Sequence, residues 1–267
     1  MAESFYEPDG ELYRATELTR GPWDPDAQHA GPPAALIGRE LERLDDGRIG
    51  GADGPAAQVG RVTYEVLRSV PIAPLRVSAE VLRPGRRVEM VGATLSDEAG
   101  EPLMRAHGWR LRTEPVSFEP PPGLPEPPPG PEHGEPGEFF HTGYDVGYHT
   151  AMDYRFLSGA FMEPGPATVW MRMAVPLLPG EEPSPLQRVL AAADSGNGVS
   201  ASLDWRRYLF INVDLSVHLH RMPEGDWVCL DAITLPESVG TGMADTRLLD
   251  RRGAIGRAVQ TLLVGER

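Results

Sequence analysis

Asp194 is the residue whose position most strongly suggests chemistry. The apolar stripe before it consists of Leu186, Val189, Leu190 and Ala193. Because this spacing follows the helical period, the carboxylate of Asp194 is expected on the buried face of that helix. Burial without a partner and the negative end of the helix dipole both disfavour a charged carboxylate. Both effects therefore raise the proton affinity of Asp194 toward that of a general base. The alternative is a structural Asp that ends the helix.

Gln260 is the second candidate, because it is the one polar side chain on its strand face. The even positions of the last predicted strand are Ala254, Gly256, Ala258, Gln260, Leu262 and Val264. Small and apolar residues suit a face that lies under a helix. The amide of Gln260 could donate to a carboxylate or carbonyl oxygen and accept from water. The alternative is a core Gln whose amide is satisfied by backbone groups.

His29 and Gly31 stand where the first predicted helix begins. A helix N-terminus offers unpaired N–H groups to an oxyanion or a phosphate. Pro32 and Pro33 lack that donor, so the Gly31 N–H and the His29 side chain remain as candidate substrate-binding groups. The alternative is that this segment only starts a helix.

Two further sequence features are interpreted as structural rather than catalytic or metal-binding. His218 and His220 form an H-x-H pair near Asp214, a spacing that metal sites also use, but we interpret it as a solvated strand face. Cys229 lies in a predicted strand and is interpreted as a core residue rather than a nucleophile. We therefore predict no metal or redox cofactor.

The elements that position these residues repeat one order, a helix followed by antiparallel strands. The first helix is predicted from Gly31 to the stop at residues 45–47. The first-half strands are predicted at 58–70, 75–83, 86–96 and 102–112. In the second half, strand-like segments are predicted at 141–149 and 167–175, a helix capped by Ser184, and strands at 207–221, 226–236, 240–249 and 254–264.

The strand predicted at 207–221 alternates strictly. Its odd positions are all apolar: Leu209, Ile211, Val213, Leu215, Val217 and Leu219. Its even positions are mainly polar and include Asn212. The alternation therefore predicts one buried face, with Asn212 on the opposite face unless a bulge turns it or another segment covers it.

A second copy of the same pattern supports two halves. Residues 96–106 and 248–258 stand at a constant offset of 152 and both are interpreted as strand, charged turn closed by Gly, and strand. We expect an α+β fold with an N-terminal half at 1–113 and a C-terminal half at 138–267. At this offset Gly108 corresponds to Gln260, so only the second half carries that amide.

The segment between the halves, residues 114–137, is rich in proline. Such a run does not donate to a sheet ladder and favours extended geometry, so it predicts a semi-rigid linker.

The net charge of −14 argues against nucleic acid and anionic membrane as partners. It still permits an anionic ligand held by a local arginine cluster. The single Cys, together with an N-terminus unlike a signal peptide, predicts a cytoplasmic protein.

An ordered set of segments resembles the acyl-CoA thioesterase family with the double-hotdog fold (thioesterase II type). The segments are residues 29–36, 192–194, 210–221, Trp227 and 253–260. The resemblance implies two hotdog halves in one pseudo-symmetric unit, which hydrolyses an acyl-CoA thioester to the free acid and CoA. In that family an Asp, a Thr or Ser and a Gln of the second half activate the water. Asp194 and Gln260 match the Asp and the Gln, whereas Asn212 stands where the hydroxyl residue is usual.

Two other functions remain open at this stage. A non-catalytic acyl-CoA-binding module would use the same pocket and is favoured by Asn212. A hotdog hydratase usually pairs an Asp with a His near one loop, and no His lies close to Asp194 in the sequence. The expected ligand is an acyl-CoA or a related thioester in each case, and homo-oligomerisation is left open.

Overall fold

A single antiparallel sheet runs through both halves of the chain in the computed structural model, which describes residues 2–45, 47–49, 56–119, 123, 126–139 and 142–267. Its strands are β1 (Tyr6–Asp9), β2 (Leu12–Ala15), β3 (Ala57–Val66), β4 (Pro74–Arg83), β5 (Val88–Ser96), β6 (Pro102–Arg112), β7 (Glu135–Pro136), β8 (Met152–Ala160), β9 (Glu163–Met173), β10 (Tyr208–Asn212), β11 (Asp214–Leu219), β12 (Val228–Pro236), β13 (Thr241–Asp250) and β14 (Gly253–Glu266). The helices are α1 (Gly31–Arg43), α2 (Tyr148–Ala151), α3 (Pro185–Ala193) and α4 (Gly196–Val199). Within the described ranges, none of the helices has the length and apolar character needed to cross a membrane.

The strand order of one half is reversed in the other. The first half runs β4-β5-β6-β3 and the second runs β11-β14-β13-β12. The halves join where β3 pairs with β11, from Glu65 opposite Asp214 to Arg61 opposite His218. The expected arrangement of one main helix with an antiparallel sheet in each half is thus present.

The two main helices, α1 and α3, pack against each other in antiparallel directions. Near the start of α1, a Cβ on Gly31 would lie only 2.3 Å from the carbonyl oxygen of Ala191. Near its end, the carboxylate of Glu42 accepts a 2.6 Å hydrogen bond from Ser184 Oγ. Because glycine lets the backbones approach closely, the first turn of α1 lies beside the last turn of α3.

Both helices begin where the sequence predicts. The side chain of Ser184 caps α3 by accepting from Gln187 N–H at 3.1 Å. Helix α1 begins at Gly31, and its far end is fastened by Arg110, whose guanidinium donates to the carbonyl oxygens of Leu41 and Leu44. Ser184 thus satisfies an N–H donor at the start of α3, and Arg110 satisfies carbonyl acceptors at the end of α1.

The prediction of one continuous strand at 207–221 is wrong, because a bulge divides this segment into β10 and β11. Asn212 pairs with Leu262 on β14, whereas Ser216 pairs with Val259, so one extra residue lies in the strand. The carboxylate of Asp214 fills the gap by accepting from Thr261 N–H at 2.6 Å. The alternation inverts here: Leu215, Val217 and Leu219 are buried, but Ile211 and Val213 are exposed.

The strand predicted at 141–149 is also wrong. Residue 141 lies outside the described residues, residues 142–147 form no strand, and α2 begins at Tyr148. The strand of this region is β8, whose inward side chains are Met152, Tyr154 and Phe156. The hairpin β1–β2, which the sequence analysis did not predict, pairs with β4.

The proline-rich segment is more ordered than a spacer at its second end. Residues 120–122 and 124–125 of it lie outside the described residues. Beyond them, Trp170 Nε1 donates to the carbonyl oxygen of Pro129 at 2.8 Å, and β7 pairs with β8. This end of the segment therefore packs on the second half.

Candidate active site

The carboxylate of Asp194 lies at the C-terminal end of α3 and is 5% exposed. Its Oδ1 accepts from Asn212 Nδ2 at 2.9 Å and from Gln260 Nε2 at 3.2 Å. The structure thus brings the three residues together around one carboxylate oxygen. Two neutral donors on a buried carboxylate offset part of the cost of removing it from water.

Gln260 is fixed at both ends of its amide. Its Nε2 also donates to the main-chain oxygen of Asp194 at 3.1 Å, and its Oε1 accepts from Asn197 N–H at 3.1 Å. Since a backbone N–H is only a donor, this contact places the amide oxygen toward α4 and the amide nitrogen toward Asp194. The side chain is buried under α3 and α4, as its strand position predicts.

Asn212 reaches Asp194 because of the bulge that follows it. The prediction that it lies on the face opposite the apolar one is wrong, since its amide points to the helix side and contacts Asp194. Its Nδ2 also lies 3.4 Å from the carbonyl oxygen of Asp214. The bulge, one of the two exceptions considered from the sequence, therefore brings the amide to the carboxylate.

His29 is the third group that contacts this carboxylate. Its Nδ1 lies 3.2 Å from Asp194 Oδ2 and accepts from Gly31 N–H at 3.1 Å. Burial lowers the pKa of His29 below its ordinary value, and the charge of Asp194 opposes that effect. The imidazole is therefore favoured in its neutral form, which carries its one ring proton on either Nδ1 or Nε2. Either Nδ1–H donates to Asp194, or Nδ1 accepts from Gly31 and the proton is on Nε2.

Tyr148 supports the His29 ring and was not found from the sequence. The two rings stack with centroids 3.8 Å apart and an angle of 5° between planes. The Tyr148 hydroxyl donates to the carbonyl oxygen of Ala191 at 2.6 Å and lies 3.0 Å from Ser195 Oγ. Burial raises the pKa of Tyr148, so its hydroxyl stays protonated. No sequence signal indicates this role, since Tyr148 falls within the strand predicted at 141–149.

Gly31 does not reach the cleft in the way that the sequence predicts. It is buried against Ala191, and its N–H is engaged by His29. Its contribution in this geometry is to hold the imidazole, while His29 itself faces the cleft.

A narrow cleft of about 50 Å³ adjoins this cluster. Polar groups reach it from His29, Ser195 and Asn197. The remaining walls are mainly aromatic and apolar: Pro22, Trp23, Phe139, Tyr148, Tyr154, Phe161, Gly198, Val199, Ala201, Trp205 and Phe210. An apolar cleft with a few convergent polar groups is the usual form of a small-molecule site.

A larger groove elsewhere is less suited to chemistry. It has a volume of about 650 Å³ and is lined by charged residues, among them Arg172 and Arg188. Both guanidinium groups are already paired, Arg172 with Asp153 and Arg188 with Glu182, each at 2.6 Å. The cluster around the buried Asp194 carboxylate reaches the aromatic cleft through His29, and none of its members lines the larger groove.

The other reactive residue types offer no second centre. Cys229 is fully buried, and burial raises its pKa to about 12, so the thiol is protonated at neutral pH. His218 and His220 are exposed on the sheet. In the described part of the chain, no three side chains of His, Cys, Asp or Glu are grouped closely enough to hold a metal ion.

Comparisons with known proteins agree with this architecture. The chain matches two family models, the acyl-CoA thioesterase N-terminal domain over residues 19–111 and the acyl-CoA thioesterase C-terminal domain over residues 121–264. No curated protein matches it in sequence.

Three solved structures are similar over nearly their whole length. A candidate thioesterase II from Thermobifida fusca YX has a TM-score of 0.73 and 19% identity, with 96% of this chain and 93% of that chain covered. A hot dog fold protein of unknown function from Alicyclobacillus acidocaldarius has a TM-score of 0.71 and 15% identity, with 98% and 95% covered. An acyl-CoA thioesterase II from Mycobacterium marinum has a TM-score of 0.66 and 15% identity, with 98% and 94% covered. The expected hotdog fold is confirmed.

Proposed function

Because this chain belongs to the acyl-CoA thioesterase family, we propose that it hydrolyses an acyl-CoA thioester to the free acid and CoA, with Asp194 as the general base. The observation that carries the proposal is the buried Asp194 carboxylate, whose Oδ1 is held by Asn212 and Gln260 and whose Oδ2 faces His29. A carboxylate fixed in this way has a single oxygen left to accept a proton.

The reaction proceeds by addition and elimination. A water held beside Asn212 and Gln260 gives a proton to Asp194 Oδ2 as its oxygen bonds to the thioester carbonyl carbon. The tetrahedral intermediate then collapses, the carbon–sulfur bond breaks, and the CoA sulfur leaves with the proton from Asp194. The second proton of the water is donated to the amide oxygen of Asn212, while Gln260, whose oxygen accepts from Asn197 N–H, holds the Asp194 carboxylate in place.

His29 binds the carbonyl oxygen of the thioester in this proposal. When Nδ1 accepts from Gly31 N–H, the imidazole proton is on Nε2 and is available to the oxyanion of the intermediate. Gly31 then acts through His29 by fixing its tautomer. The lowered pKa of His29 and the Tyr148 ring against it support a neutral, oriented donor.

The two halves, residues 1–113 and 138–267, are proposed to form one double-hotdog unit with pseudo-twofold symmetry. Support comes from the reversed strand order, the pairing of β3 with β11, and the antiparallel packing of α1 on α3. We further propose a cytoplasmic role in lipid metabolism, which the single, buried cysteine supports.

The experiment that tests the hydrolysis compares Asp194→Asn with the unmodified protein on short, medium, long and aromatic acyl-CoAs. We expect kcat on the best substrate to fall by roughly 10²–10⁴, the range for a positioned acid or base, with little change in affinity. Asp226→Asn, a surface carboxylate, is the matched control. Full turnover in Asp194→Asn would contradict the mechanism.

The two alternative functions, a binding module and a hydratase, would give different results in these assays. A binding module would release no thiol above background, yet would bind a non-hydrolysable acyl-CoA thioether in calorimetry. A hydratase is favoured by one observation, the contact of Asp194 with His29, which the sequence did not reveal. It would consume the enoyl absorbance of a 2-enoyl-CoA without releasing thiol.

A further inference from the structure

Three arginines close to Trp205, one of the residues that line the aromatic cleft, form what we call the arginine rim: Arg206, Arg207 and Arg267. All three are exposed. Within the described part of the chain, none of them forms an ion pair, although most other arginines there are paired with a carboxylate. Three such cations close together form a local positive surface in a chain of net charge −14, and this surface attracts an anion.

Each of these guanidinium groups lies over an aromatic ring. Arg206 is 5.4 Å from the ring centroid of Trp205, Arg267 is 5.4 Å from that of Trp23, and Arg207 is 5.5 Å from that of Tyr208. Cation–π contacts of this kind hold a guanidinium near a ring face while its N–H groups remain available to an anion.

The backbone below the rim is ordered by its own hydrogen bonds. The carboxylate of Asp204 accepts from Arg206 N–H at 3.0 Å, and its carbonyl oxygen accepts from Arg207 N–H at 3.0 Å. Arg267 Nε donates to the carbonyl oxygen of Trp205 at 2.8 Å. Asp204, the acidic residue nearest in sequence to Arg206 and Arg207, is therefore engaged by main chain, and Arg267 is bonded to the turn that carries these two arginines.

The rim continues into the candidate active site. Trp23 and Trp205 line the same cleft as His29, and their ring centroids are 6.3 Å apart. The cleft also reaches a buried aromatic group, where Phe161 packs on Tyr154 with centroids 5.0 Å apart. The exposed arginines thus lie beside the two tryptophans of the cleft wall, and another part of that wall is apolar and buried.

We propose that the arginine rim binds the 3′-phosphate and diphosphate of CoA, that the adenine lies against the half-exposed edge of the cleft at Trp23 and Trp205, and that the buried aromatic part receives the acyl group. The proposal rests on the proposed thioesterase function. Guanidinium groups bind phosphate oxygens through two parallel hydrogen bonds, and aromatic side chains pack against a nucleobase. The net negative charge of the chain repels a polyanion, so a local cation cluster is what lets CoA bind.

The test separates the nucleotide from the reacting group. The double variant Arg206→Glu/Arg207→Glu is assayed on an acyl-CoA and on the N-acetylcysteamine thioester of the same acid, which lacks the nucleotide. We expect the KM for the acyl-CoA to rise about 10- to 100-fold, with kcat little changed, and kinetics on the short thioester to be unaltered. Arg86→Glu/Arg87→Glu, on the exposed turn between β4 and β5, makes the same charge change and is the matched control.

A second measurement does not depend on hydrolysis. Binding of 3′,5′-ADP is followed by quenching of tryptophan fluorescence and by calorimetry, at low and high salt. We expect binding that weakens with salt and that is lost in Arg206→Glu/Arg207→Glu but kept in the control. If no thioester is hydrolysed but this pattern holds, the rim is supported while the hydrolase function fails. Equal loss in both double variants, unaltered 3′,5′-ADP binding, or equal loss on the short thioester would each overturn the rim.

Discussion

His29 Nδ1 lies 3.2 Å from Asp194 Oδ2, although the two residues belong to opposite halves of the chain. The antiparallel packing of α1 and α3 produces this contact, because it sets the first turn of one helix beside the last turn of the other. The positive end of α1 therefore faces the carboxylate that terminates α3. Neither half carries the whole cluster, so the site depends on their packing.

His29 is expected to make stability depend on pH. Burial lowers its pKa in the folded protein, whereas the unfolded chain keeps the ordinary value of about 6.5. The unfolded state then binds more protons below that value, so His29 lowers the free energy of unfolding as the pH falls through 6.5. Denaturant unfolding of the unmodified protein and of His29→Gln at about pH 7.5 and about pH 5.5 measures this. An equal pH dependence in both proteins would refute it.

Gln260 is expected to act through its donor group. Gln260→Ala removes the bond to Asp194 and should lower kcat by roughly 10-fold or more, the scale of one positioned hydrogen bond. Gln260→Glu keeps the shape but sets a second carboxylate against Asp194, so we expect a larger loss. Gln58→Ala, on β3, is the control. Steady-state assays decide this; full activity in Gln260→Glu would argue against the donor role.

The strands that flank a short charged turn closed by glycine could be predicted from the sequence, and those turns as well. At the two repeated turns, Gly100 and Gly253 adopt φ of +85° and +109°, a backbone region that favours glycine. These turns fix β5–β6 and β13–β14 locally. The capping Ser184 likewise marks the start of α3 by a contact within four residues.

The assembled site could be predicted only in part. Asp194 and Gln260 stand out because each is a polar group on an apolar face. The contact of His29 with Asp194 and the stack of Tyr148 on His29 depend on how α1 meets α3, which the period of either helix does not specify. The turn of Asn212 depends on a one-residue bulge, and an uninterrupted apolar alternation conceals it.

Gly31 is expected to control the spacing of α1 and α3. An added Cβ would lie 2.3 Å from the Ala191 carbonyl oxygen, so Gly31→Ala must push the helices apart. We expect a loss of about 1–3 kcal/mol in the free energy of unfolding. The control for stability is Gly198→Ala, where no atom lies within 4 Å of the added group. Thermal and denaturant unfolding compare them; equal midpoints would mean that the helix contact is not close-packed.

The second end of the proline-rich segment is expected to contribute to stability. Trp170 is fully buried and donates to Pro129, so Trp170→Phe should cost about 1–3 kcal/mol by leaving that carbonyl unpaired and a small void. Val116→Ser and Phe118→Ser, both exposed in the first end of the segment, should each change stability by less than about 0.5 kcal/mol. Equal effects at the two ends would show that the segment is a uniform spacer.

Asn212 separates an enzyme from a binding module. Its amide donates to Asp194 Oδ1 at 2.9 Å, and a threonine hydroxyl could make the same contact while adding a rotatable O–H for the water. If the site hydrolyses thioesters, Asn212→Thr should keep or raise kcat, while Asn212→Ala, which has no donor, should lower it by roughly 10-fold. If the protein only binds acyl-CoA, neither variant will turn over substrate, and calorimetry with a thioether analogue will show changes in affinity alone. An active protein in which Asn212→Ala matches the unmodified kcat would remove Asn212 from the mechanism and leave Gln260 as the amide that positions the carboxylate of Asp194.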